Sequence, residues 1–544
     1  MKPASAHPFA ADLADVRPYP DALAGSAAPM TRRIDWDWPL LLVLVNLYIA
    51  RIVLVPILGA AGVGLHVDEA QYWHWSHELE WGYYSKPPGI ALLIALSTAV
   101  LGDGLLGVKA LAMACYPATA WVLGQLAREM TASTQPEPHA PACAGRLAAL
   151  LFITSPLAGL LGLAATTDAP LLLAWTLAMW ALWRALQAPP QASALRSWLM
   201  FGLALGAGAL FKYTMVVLAA SVPLLLWVWR DRPTAARNLR GATLAAAVSA
   251  LVVAPNLWWN HAHGWPTLRH TADITLGARS APAWASVAEF IGGQWMMLGP
   301  LLGLVLLWSA ARWLRTGPAA QPPQQGAALR FALYCALPLL CVGVAQAWHA
   351  RAQINWTAPA ITGLVLWLAL WLTALRVQGE RWAATAAWAS GLTSLALATA
   401  VVLAPDMARG LGHPLARNAD VWSRMRGWDA AFEVLRAEAV ARPGATVIGA
   451  DRTVIAHGAY AWRDLDLAWT ALPTTRPPRH HYEMTAHLPT PGSAAQRRGV
   501  LLLGREAPAA QVCARFTRCQ ELASAHIDIG PGQTRELHLW EATP

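Results

Sequence analysis

The sequence predicts a mainly α-helical, polytopic membrane protein of about eleven transmembrane helices, followed by a small soluble α/β domain. Three observations predict this class. Of the 544 residues, 56% are hydrophobic and only 13% are charged, whereas soluble domains carry about 25% charged residues. Many apolar runs are long enough to cross about 30 Å of hydrocarbon. Charged and polar residues return after residue 404, which indicates that the chain leaves the membrane there.

The first 37 residues are predicted to be a cytoplasmic tail. They are rich in Pro and Ala and lack the early apolar core of a cleavable signal peptide. They also contain Arg32 and Arg33 just before the first apolar run. Basic residues in this position favour the cytoplasmic side of the membrane.

A transmembrane domain is predicted at 38–404. Its predicted crossings are 38–58, 107–127, 144–164, 169–187, 197–212, 213–229, 241–258, 286–311, 330–348, 354–375 and 382–403. The fifth and sixth run together. The apolar run at 88–101 is shorter than a crossing needs and predicts a re-entrant or interfacial helix.

Basic residues are concentrated in alternate loops, which predicts the orientation. These loops contain Arg128, Arg146, Arg184, Arg196, Arg230, Arg312 and Arg376. Because cytoplasmic loops carry excess Lys and Arg, we assign them to the cytoplasmic side of the membrane. The formal net charge of +9 is explained by this excess, so we predict membrane lipids as partners and no nucleic acid. An odd number of crossings then places the C terminus in the periplasm.

Residues 405–544 are predicted to form that periplasmic domain. They combine a charged helix-like stretch at 428–440 with short apolar, strand-like runs at 447–448, 500–503 and 537–540. Cys513 and Cys519 have five residues between them. A disulfide is compatible with this spacing and with an oxidising compartment.

The first loop of the predicted outer face carries the strongest chemical signal. Asp68 and Glu69 are adjacent acids that follow the first apolar run, among several aromatic residues. A carboxylate held against a hydroxyl group accepts its proton as a new bond forms. We therefore predict Asp68 as a general base, with Glu69 and Tyr83 as substrate contacts. The alternative is a pair of solvated loop acids beyond a helix end.

Lys86 is the single cation of a loop of nearly fifty residues, and Pro87-Pro88 stiffen the backbone behind it. An ammonium group there would stabilise the charge that grows on a departing phosphate. The alternative is an interfacial lysine whose charged end reaches water. Together with the carboxylates, Lys86 predicts chemistry on a lipid-linked phosphate.

Two further charged residues interrupt apolar sequence. Asp168, within Thr166-Thr167-Asp168-Ala169-Pro170, is predicted to be catalytic, a helix N-cap, or both. Lys212, within Phe211-Lys212-Tyr213, is costly in a membrane unless it reaches a partner or water. It is predicted to bind substrate, or alternatively to be an interfacial residue that divides two crossings.

Two later loops of the same predicted face supply further candidates. One carries Arg269 and His270, and the other carries Asn355. Guanidinium and amide groups bind phosphate and sugar hydroxyls, so these three are predicted substrate contacts. The alternative is that both are plain interfacial loops.

A metal site is only weakly indicated. His74 and His77 have helical spacing, with His66 and Glu78 nearby, but no established metal motif is present. We therefore predict no required cofactor and keep a divalent metal as an open alternative. The chain also lacks a P-loop and a dinucleotide-binding glycine fingerprint, which argues against direct use of ATP or NAD.

The combined motifs resemble those of bacterial members of glycosyltransferase family 39, relatives of the protein O-mannosyltransferases and of the lipid A aminoarabinose transferase. The resemblance covers roughly 35–405 and extends more faintly to Ala450-Asp451-Arg452. The motifs that carry it are Asp68-Glu69-Ala70-Gln71-Tyr72-Trp73, Gly82-Tyr83-Tyr84-Ser85-Lys86-Pro87-Pro88, Thr167-Asp168-Ala169-Pro170, Phe211-Lys212-Tyr213 and Asn355-Trp356-Thr357-Ala358-Pro359.

The resemblance implies a C-type membrane glycosyltransferase fold and a polyprenyl-phosphate-linked sugar donor that reacts on the periplasmic side. It places the catalytic carboxylate at Asp68 and a donor-phosphate contact at Lys86. In the aminoarabinose transferases a glutamate precedes that lysine. This chain has Ser85 there, which puts a metal contact in doubt.

Three functions are compatible with these features. The first is an inverting glycosyltransferase that uses a lipid, glycan or protein acceptor. The second is a flippase or transporter of a lipid-linked sugar, although such proteins often show inverted repeats and intramembrane binding residues. The third is a non-catalytic subunit of polysaccharide assembly.

Overall fold

A computed structural model of the chain describes residues 37–135, 137–276, 282–317, 322–472, 477–486, 499–508 and 510–543. The predicted cytoplasmic tail, apart from Asp37, lies outside the described residues.

The helices of the membrane part are mostly long and apolar. The first of them are α1 (Trp38–Ala60), α2 (Val67–His77), α3 (Gly89–Leu101), α4 (Leu105–Ala132), α5 (Ala140–Ile153), α6 (Pro156–Leu161), α7 (Asp168–Gln187), α8 (Leu195–Phe211), α9 (Val216–Ala219) and α10 (Ser221–Val228). They are followed by α11 (Ala235–Ala262), α12 (Pro266–Thr275), α13 (Ala283–Leu298), α14 (Pro300–Thr316), α15 (Pro323–His349), α16 (Ala358–Val377) and α17 (Trp382–Gly410). Short 3₁₀ turns occupy Tyr213–Met215 and Ile354–Thr357.

The predicted number of about eleven crossings is not confirmed. Among the described residues, seven helices are long and apolar enough to span a membrane, or eight if the bent pair α13–α14 is one span. The seven are α1, α4, α7, α11, α15, the stretch Ile354–Val377 and α17. The predicted crossings at 144–164, 197–212, 213–229 and 286–311 correspond instead to shorter or broken helices, whereas 88–101 is a short helix as predicted.

Local backbone chemistry explains two of the breaks. The chain bends by 105° between α13 and α14. Gly299, at this bend, has a φ of 113°, which L side chains rarely adopt, and Pro300 has no N–H to continue the helical ladder. Between α5 and α6, Ser155 caps a new helix through its hydroxyl and Pro156 starts that helix. An apolar run alone does not reveal either break.

The basic loops gather at the end of the bundle where α1 begins. Arg146 Nε donates to Asp37 Oδ2 over 2.7 Å, and Arg128 lies 3.8 Å from the same carboxylate. Arg184, in the last turn of α7, pairs with Glu129 near the end of α4. Asp68 follows the opposite end of α1. Arg128 and Arg146 thus lie at the end of α1 opposite to the acidic first loop.

The C-terminal part forms the expected small α/β domain. Its elements are α18 (Trp428–Val440), β1 (Thr446–Gly449), α19 (Arg452–Ala461), β2 (Ala468–Ala471), α20 (His481–Met484), β3 (Val500–Gly504), α21 (Ala510–Cys513), β4 (Arg518–Gly530) and β5 (Gln533–Thr543). The strands form a sheet in the order β2-β1-β3-β5-β4. β1 pairs in parallel with β2 and β3, whereas β5 pairs antiparallel with β3 and β4.

The predicted strand-like runs lie in β1, β3 and β5, and the apolar face of α18 packs on this sheet. Cys513 and Cys519 form a disulfide with a Cα–Cα distance of 5.6 Å, a pairing that their spacing allows. Helix α17 continues past residue 404 to Gly410, so the helical part is a few residues longer than the sequence indicated.

The C-terminal domain packs directly on the first loop. Arg426 Nη1 donates to the carbonyl oxygen of Ala61 over 2.8 Å. Tyr84 donates its hydroxyl proton to the carbonyl oxygen of Pro478 over 2.7 Å. Helix α19 lies against α2. These contacts make the domain one wall of the space above α2.

Candidate active site

A cavity of about 1030 Å³ lies between the helical bundle and the C-terminal domain. Predicted site residues from four separate parts of the chain line it: Asp68, Glu69, Lys86, Asp168, Lys212 and Asn355. The fold therefore brings Asp68, Lys86 and Asp168 to one cavity, although they are far apart in the sequence.

The local sequence places Asp68 in the first turn of α2. His66 is the N-cap, and its Nδ1 accepts a hydrogen bond from the Asp68 N–H over 3.2 Å. Glu69 Oε2 accepts in return from the His66 N–H over 2.9 Å. This reciprocal capping box fixes the start of the helix. A carboxylate in the first turn is also favoured by the helix dipole.

Asp68 is held as a carboxylate by cations around it. Arg452 Nη1, at the start of α19, donates to Asp68 Oδ1 over 2.9 Å. The exposed 41% of the Asp68 side chain faces the cavity. Burial by the surrounding protein would raise the pKa of Asp68, but Arg452, His66 and Lys86 together hold that pKa below its ordinary value. The carboxylate is thus ionised at neutral pH and available to accept a proton.

Glu69, although adjacent, has a different environment. Lys109 Nζ donates to its two carboxylate oxygens over 2.6 and 2.7 Å, and the Ala165 N–H donates over 2.6 Å. Only 1% of Glu69 and 3% of Lys109 are exposed. Together with the bond from His66, these contacts occupy both oxygens. The geometry gives Glu69 a structural role in place of the predicted substrate contact.

Asp168 joins two other predicted residues. It accepts from Lys212 Nζ on Oδ1 and from Asn355 Nδ2 on Oδ2, both over 2.7 Å. Gln294 steadies the Asn355 turn by donating to the Ile354 carbonyl oxygen over 2.7 Å. Asp168 is the first residue of α7 and its side chain makes no capping bond, so the predicted N-cap is wrong. Its carboxylate is used on the cavity side instead.

Lys86 faces the same space without a carboxylate partner in the described part of the chain. Its Nζ donates only to the carbonyl oxygen of Ser85, over 3.3 Å. Burial and the neighbouring Lys212 lower the pKa of Lys86, whereas Asp68 and Asp168 raise it. A cation that is half-buried and incompletely paired is suited to an anionic ligand.

The other three predicted substrate contacts, Tyr83, Arg269 and His270, do not line the cavity. Tyr83 is 1% exposed and stacks on Trp75 with ring centroids 4.3 Å apart. Arg269 is exposed and does not line the cavity. His270 packs against Tyr84, and burial with the nearby Lys86 lowers the pKa of His270 to about 4. His270 is therefore neutral near the Lys86 loop, whereas Tyr83 acts in packing.

The described residues do not form a metal-binding site. They contain no group of three or more His, Cys, Asp or Glu side chains that could hold a metal ion. His74 Nδ1 lies 3.1 Å from the Tyr482 hydroxyl, and His77 Nδ1 lies 2.9 Å from the Trp73 carbonyl oxygen. No step below uses a metal.

Two important residues were missed in the sequence. Arg452 appeared only at the faint end of the family resemblance, with no role assigned to it. Lys109 was detectable, because a lysine within the apolar helix α4 demands a partner or a path to water. The partners of Arg452 and Lys109 could not be identified from the sequence alone, since each contact joins distant segments.

Comparisons with known proteins identify the family of the chain. Residues 85–259 match the family model described as dolichyl-phosphate-mannose-protein mannosyltransferase. The chain is 30% identical over 431 residues to the lipid A galacturonosyltransferase RgtD of Rhizobium johnstonii, covering 78% of this chain and 83% of that protein.

A second relative is the undecaprenyl phosphate-alpha-4-amino-4-deoxy-L-arabinose arabinosyl transferase of Pseudomonas paraeruginosa. It is 28% identical over 371 residues, covering 63% of this chain. The chain spans only about half of that relative's length, 55%.

Solved structures of ArnT from Cupriavidus metallidurans have the same fold. The apo structure and the one bound to undecaprenyl phosphate each superpose with a TM-score of 0.57. Each covers 92% of this chain and 99% of the solved chain, at 14% and 15% identity. The likeness at this identity concerns the fold alone.

Proposed function

The chain belongs to the family of membrane glycosyltransferases that contains the lipid A sugar transferases and is related to the protein mannosyltransferases, and we propose that it transfers a sugar from a polyprenyl-phosphate donor to a hydroxyl group of a lipid acceptor. One observation carries the proposal most directly. An ionised Asp68, an incompletely paired Lys86 and the Asp168–Lys212 pair face one cavity.

Asp68 is proposed as the general base. The acceptor hydroxyl gives its proton to the Asp68 carboxylate as its oxygen attacks the anomeric carbon of the donor sugar. The bond from that carbon to the phosphate oxygen breaks, and the polyprenyl phosphate leaves with the electron pair. Attack from the face opposite the phosphate inverts the anomeric configuration.

Lys86 is proposed to hold the phosphate. The charge on the bridging phosphate oxygen grows as the bond to the sugar breaks, so a fixed ammonium group stabilises the transition state more than the ground state. Neutral His270 lies near this loop and is available to donate one further hydrogen bond. Arg269, which is exposed, is left without a role in this step.

Asp168 is proposed to orient its two partners. Its carboxylate neutralises Lys212 and holds the Asn355 amide. The hydrogen-bonding groups that remain free on these two side chains therefore have fixed positions. Sugar hydroxyls are bound well by such fixed amide and ammonium groups. Loss of this centre would disturb donor placement more than proton transfer.

The reaction is proposed to take place on the periplasmic side of a bacterial inner membrane. The Cys513–Cys519 disulfide in the C-terminal domain supports this side, because disulfides persist in oxidising compartments. The basic loops at the opposite end of the bundle support it too. The 1–37 tail would then be cytoplasmic and 405–544 periplasmic.

The donor sugar is proposed to be a hexose or pentose derivative. The names of the two relatives mention galacturonate and aminoarabinose, one sugar from each class. A glycan or protein acceptor is the alternative to a lipid, and the test below includes all three.

The experiment that tests the function is a transfer assay with the purified full chain in detergent. Undecaprenyl phosphate carrying galacturonate or aminoarabinose is mixed with lipid A, a glycan or a protein, and the masses of the products are measured by mass spectrometry. We expect covalent sugar addition to lipid A, loss of this product in Asp68→Asn, and normal product with Glu78→Gln, a control acid outside the cavity. A flippase or a non-catalytic binding subunit would produce no sugar adduct with any acceptor.

A further inference from the structure

The wall of the cavity that the C-terminal domain supplies is strongly cationic. Four arginines on this wall take no part in the transfer step proposed above. We call this group the arginine wall: Arg417, Arg424, Arg505 and Arg535.

Two members of the arginine wall share one indole ring. The guanidinium carbon of Arg535 lies 4.1 Å from the centroid of Trp428, and that of Arg505 lies 5.4 Å from it. Burial, with Arg505 and Arg417 close by, lowers the pKa of Arg535 to about 10. The positive charges are therefore near enough to repel one another, and an anion between them would relieve that repulsion.

The protein itself provides little negative charge for these groups. The side chains of Arg417 and Arg424 make no hydrogen bond or ion pair within the described ranges. Arg535 donates only to backbone carbonyl oxygens, those of Ser423 and Arg426. Arg505 lies 3.5 Å from Asp451.

Two acids also line this side of the cavity. Glu536 lies 3.7 Å from His526 on the neighbouring strand, and Glu506 follows Arg505 in the chain. With Asp451 beside Arg505, three acids face four arginines, so the wall keeps a net positive charge. An anion would have to come from a ligand.

An exposed apolar stripe precedes the loop that carries two arginines of the wall. Leu403, Met407 and Leu411 follow one another at a spacing of four residues on α17 and just beyond it, so they share one face. They are exposed by 38%, 63% and 75%, and Val421 by 48%. This exposed apolar stripe leads along α17 to the loop that carries Arg417 and Arg424. Lipid chains are the natural covering of such a stripe in a membrane protein.

We propose that the arginine wall binds the anionic headgroup of the lipid acceptor, with phosphate or carboxylate groups on the arginines and the acyl chains along α17. The proposal rests on the proposed glycosyltransferase function and adds to it the residues that hold the acceptor's headgroup. Arginine suits this task because its planar fork forms paired hydrogen bonds with phosphate or carboxylate. The cavity then has two anion sites, one at Lys86 for the donor phosphate and one at the arginine wall for the acceptor.

Binding of two probes to the full chain in detergent separates these sites. The acceptor probe is lipid A with its two phosphates, compared with the same lipid A after phosphatase treatment. The donor-side probe is undecaprenyl phosphate. The variant is Arg417→Gln/Arg505→Gln, and the matched control Arg515→Gln/Arg518→Gln removes the same charge from the same domain outside the cavity.

We expect the Arg417→Gln/Arg505→Gln variant to bind phosphorylated lipid A about 10- to 100-fold more weakly than the unaltered chain. Its affinity for undecaprenyl phosphate should stay within about two-fold, which also shows that the variant is folded. The control variant should bind both probes normally. Dephosphorylated lipid A should bind the unaltered chain as weakly as phosphorylated lipid A binds the variant.

Several results would overturn the proposal. Unchanged lipid A affinity in the variant would remove the arginine wall from acceptor binding. An equal loss of undecaprenyl phosphate affinity would assign these arginines to the donor. Equally tight binding of inorganic pyrophosphate would identify a site for soluble anions. If lipid A binding behaves as expected but no sugar is transferred from any donor, the proposed function fails while the headgroup site stands.

Discussion

Arg452 Nη1 donates a hydrogen bond to Asp68 Oδ1 over 2.9 Å, although 384 residues separate them in the chain. The same nitrogen donates to Gln71 Oε1 over 2.8 Å. The C-terminal domain thus supplies a charge that tunes the proposed base, and it does so from the N-terminal end of α19. The Asp451 side chain caps that helix and so helps to hold Arg452 in place.

Replacing Arg452 should change the pH dependence of transfer. In Arg452→Gln the strongest attraction that lowers the pKa of Asp68 is lost, so burial should raise that pKa. The acidic limb of the kcat profile should move to higher pH, with a larger loss of activity at pH 5 than at pH 8. Arg452→Lys retains the positive charge and should restore much of the original profile. An unmoved acidic limb in Arg452→Gln would show that Arg452 has no influence on the base.

Asp68 and Lys86 should differ in which kinetic constant they affect. Asp68→Asn is nearly isosteric but cannot accept the proton, so kcat should fall about 10²- to 10⁴-fold with donor affinity retained. Lys86→Ala should weaken donor binding and also slow transfer, because the proposed role of Lys86 is to hold the donor phosphate both before and during bond cleavage. Steady-state kinetics with a polyprenyl-phosphate sugar, together with direct binding of undecaprenyl phosphate, measures both effects. Near-normal turnover of Asp68→Asn would make Asp168 the next candidate for the base.

The buried Glu69–Lys109 pair should matter for stability. Lys109→Met leaves the Glu69 carboxylate buried without its cation, a change that typically costs about 3–5 kcal/mol. The double variant Glu69→Gln/Lys109→Met removes both charges and should recover much of that loss. Thermal unfolding in detergent, followed by tryptophan fluorescence, compares the variants. Equal stability of Lys109→Met and the unaltered chain would show that water reaches Glu69.

The packing of His481 should make the C-terminal domain sensitive to acid. Burial lowers the pKa of His481 to about 3 from its ordinary 6.5, and the ring packs edge-on against Trp75 and Tyr83. Between these pH values the unfolded chain binds more protons than the folded chain. Stability should therefore fall as the pH drops below 6.5, by about 2 kcal/mol at pH 5.

A matched pair of variants checks this pH effect. His481→Phe retains an aromatic ring but cannot titrate, so its apparent Tm should depend less on pH. His413→Gln changes an exposed histidine and should leave the pH dependence unaltered. Parallel Tm curves for the unaltered chain and His481→Phe between pH 7.5 and 5 would contradict the role of His481.

The disulfide offers a test of orientation. Whole cells are treated with a membrane-impermeant reductant and then with an impermeant maleimide. If the C-terminal domain is periplasmic, Cys513 and Cys519 should label only after reduction, and the signal should disappear in Cys513→Ser/Cys519→Ser. Labelling of this pair only after the membrane is permeabilised would reverse the proposed orientation. The other cysteines provide the background, which the double variant measures.

The membrane class, the α/β character of the C-terminal domain and most helix positions were predictable from the sequence. Hydropathy and strand-like patterning are local properties, so a window of neighbouring residues carries them. Asp68 and Lys86 could also be recognised in the sequence as candidate site residues, since charges beside an apolar segment are costly and therefore conspicuous. The family resemblance added the donor class but no distances.

Tertiary structure alone decided the partner and the exposure of each charged residue. Asp68 and Glu69 are neighbours in sequence, yet Asp68 is 41% exposed and pairs with Arg452, whereas Glu69 is 1% exposed and pairs with Lys109. The 105° bend after α13 likewise depends on how Gly299 and Pro300 fit between packed helices, which an apolar run does not encode. The reason is physical. The hydropathy of a segment depends only on its own residues. The pKa and the partner of a carboxylate depend on charges a few ångströms away, which come from distant segments.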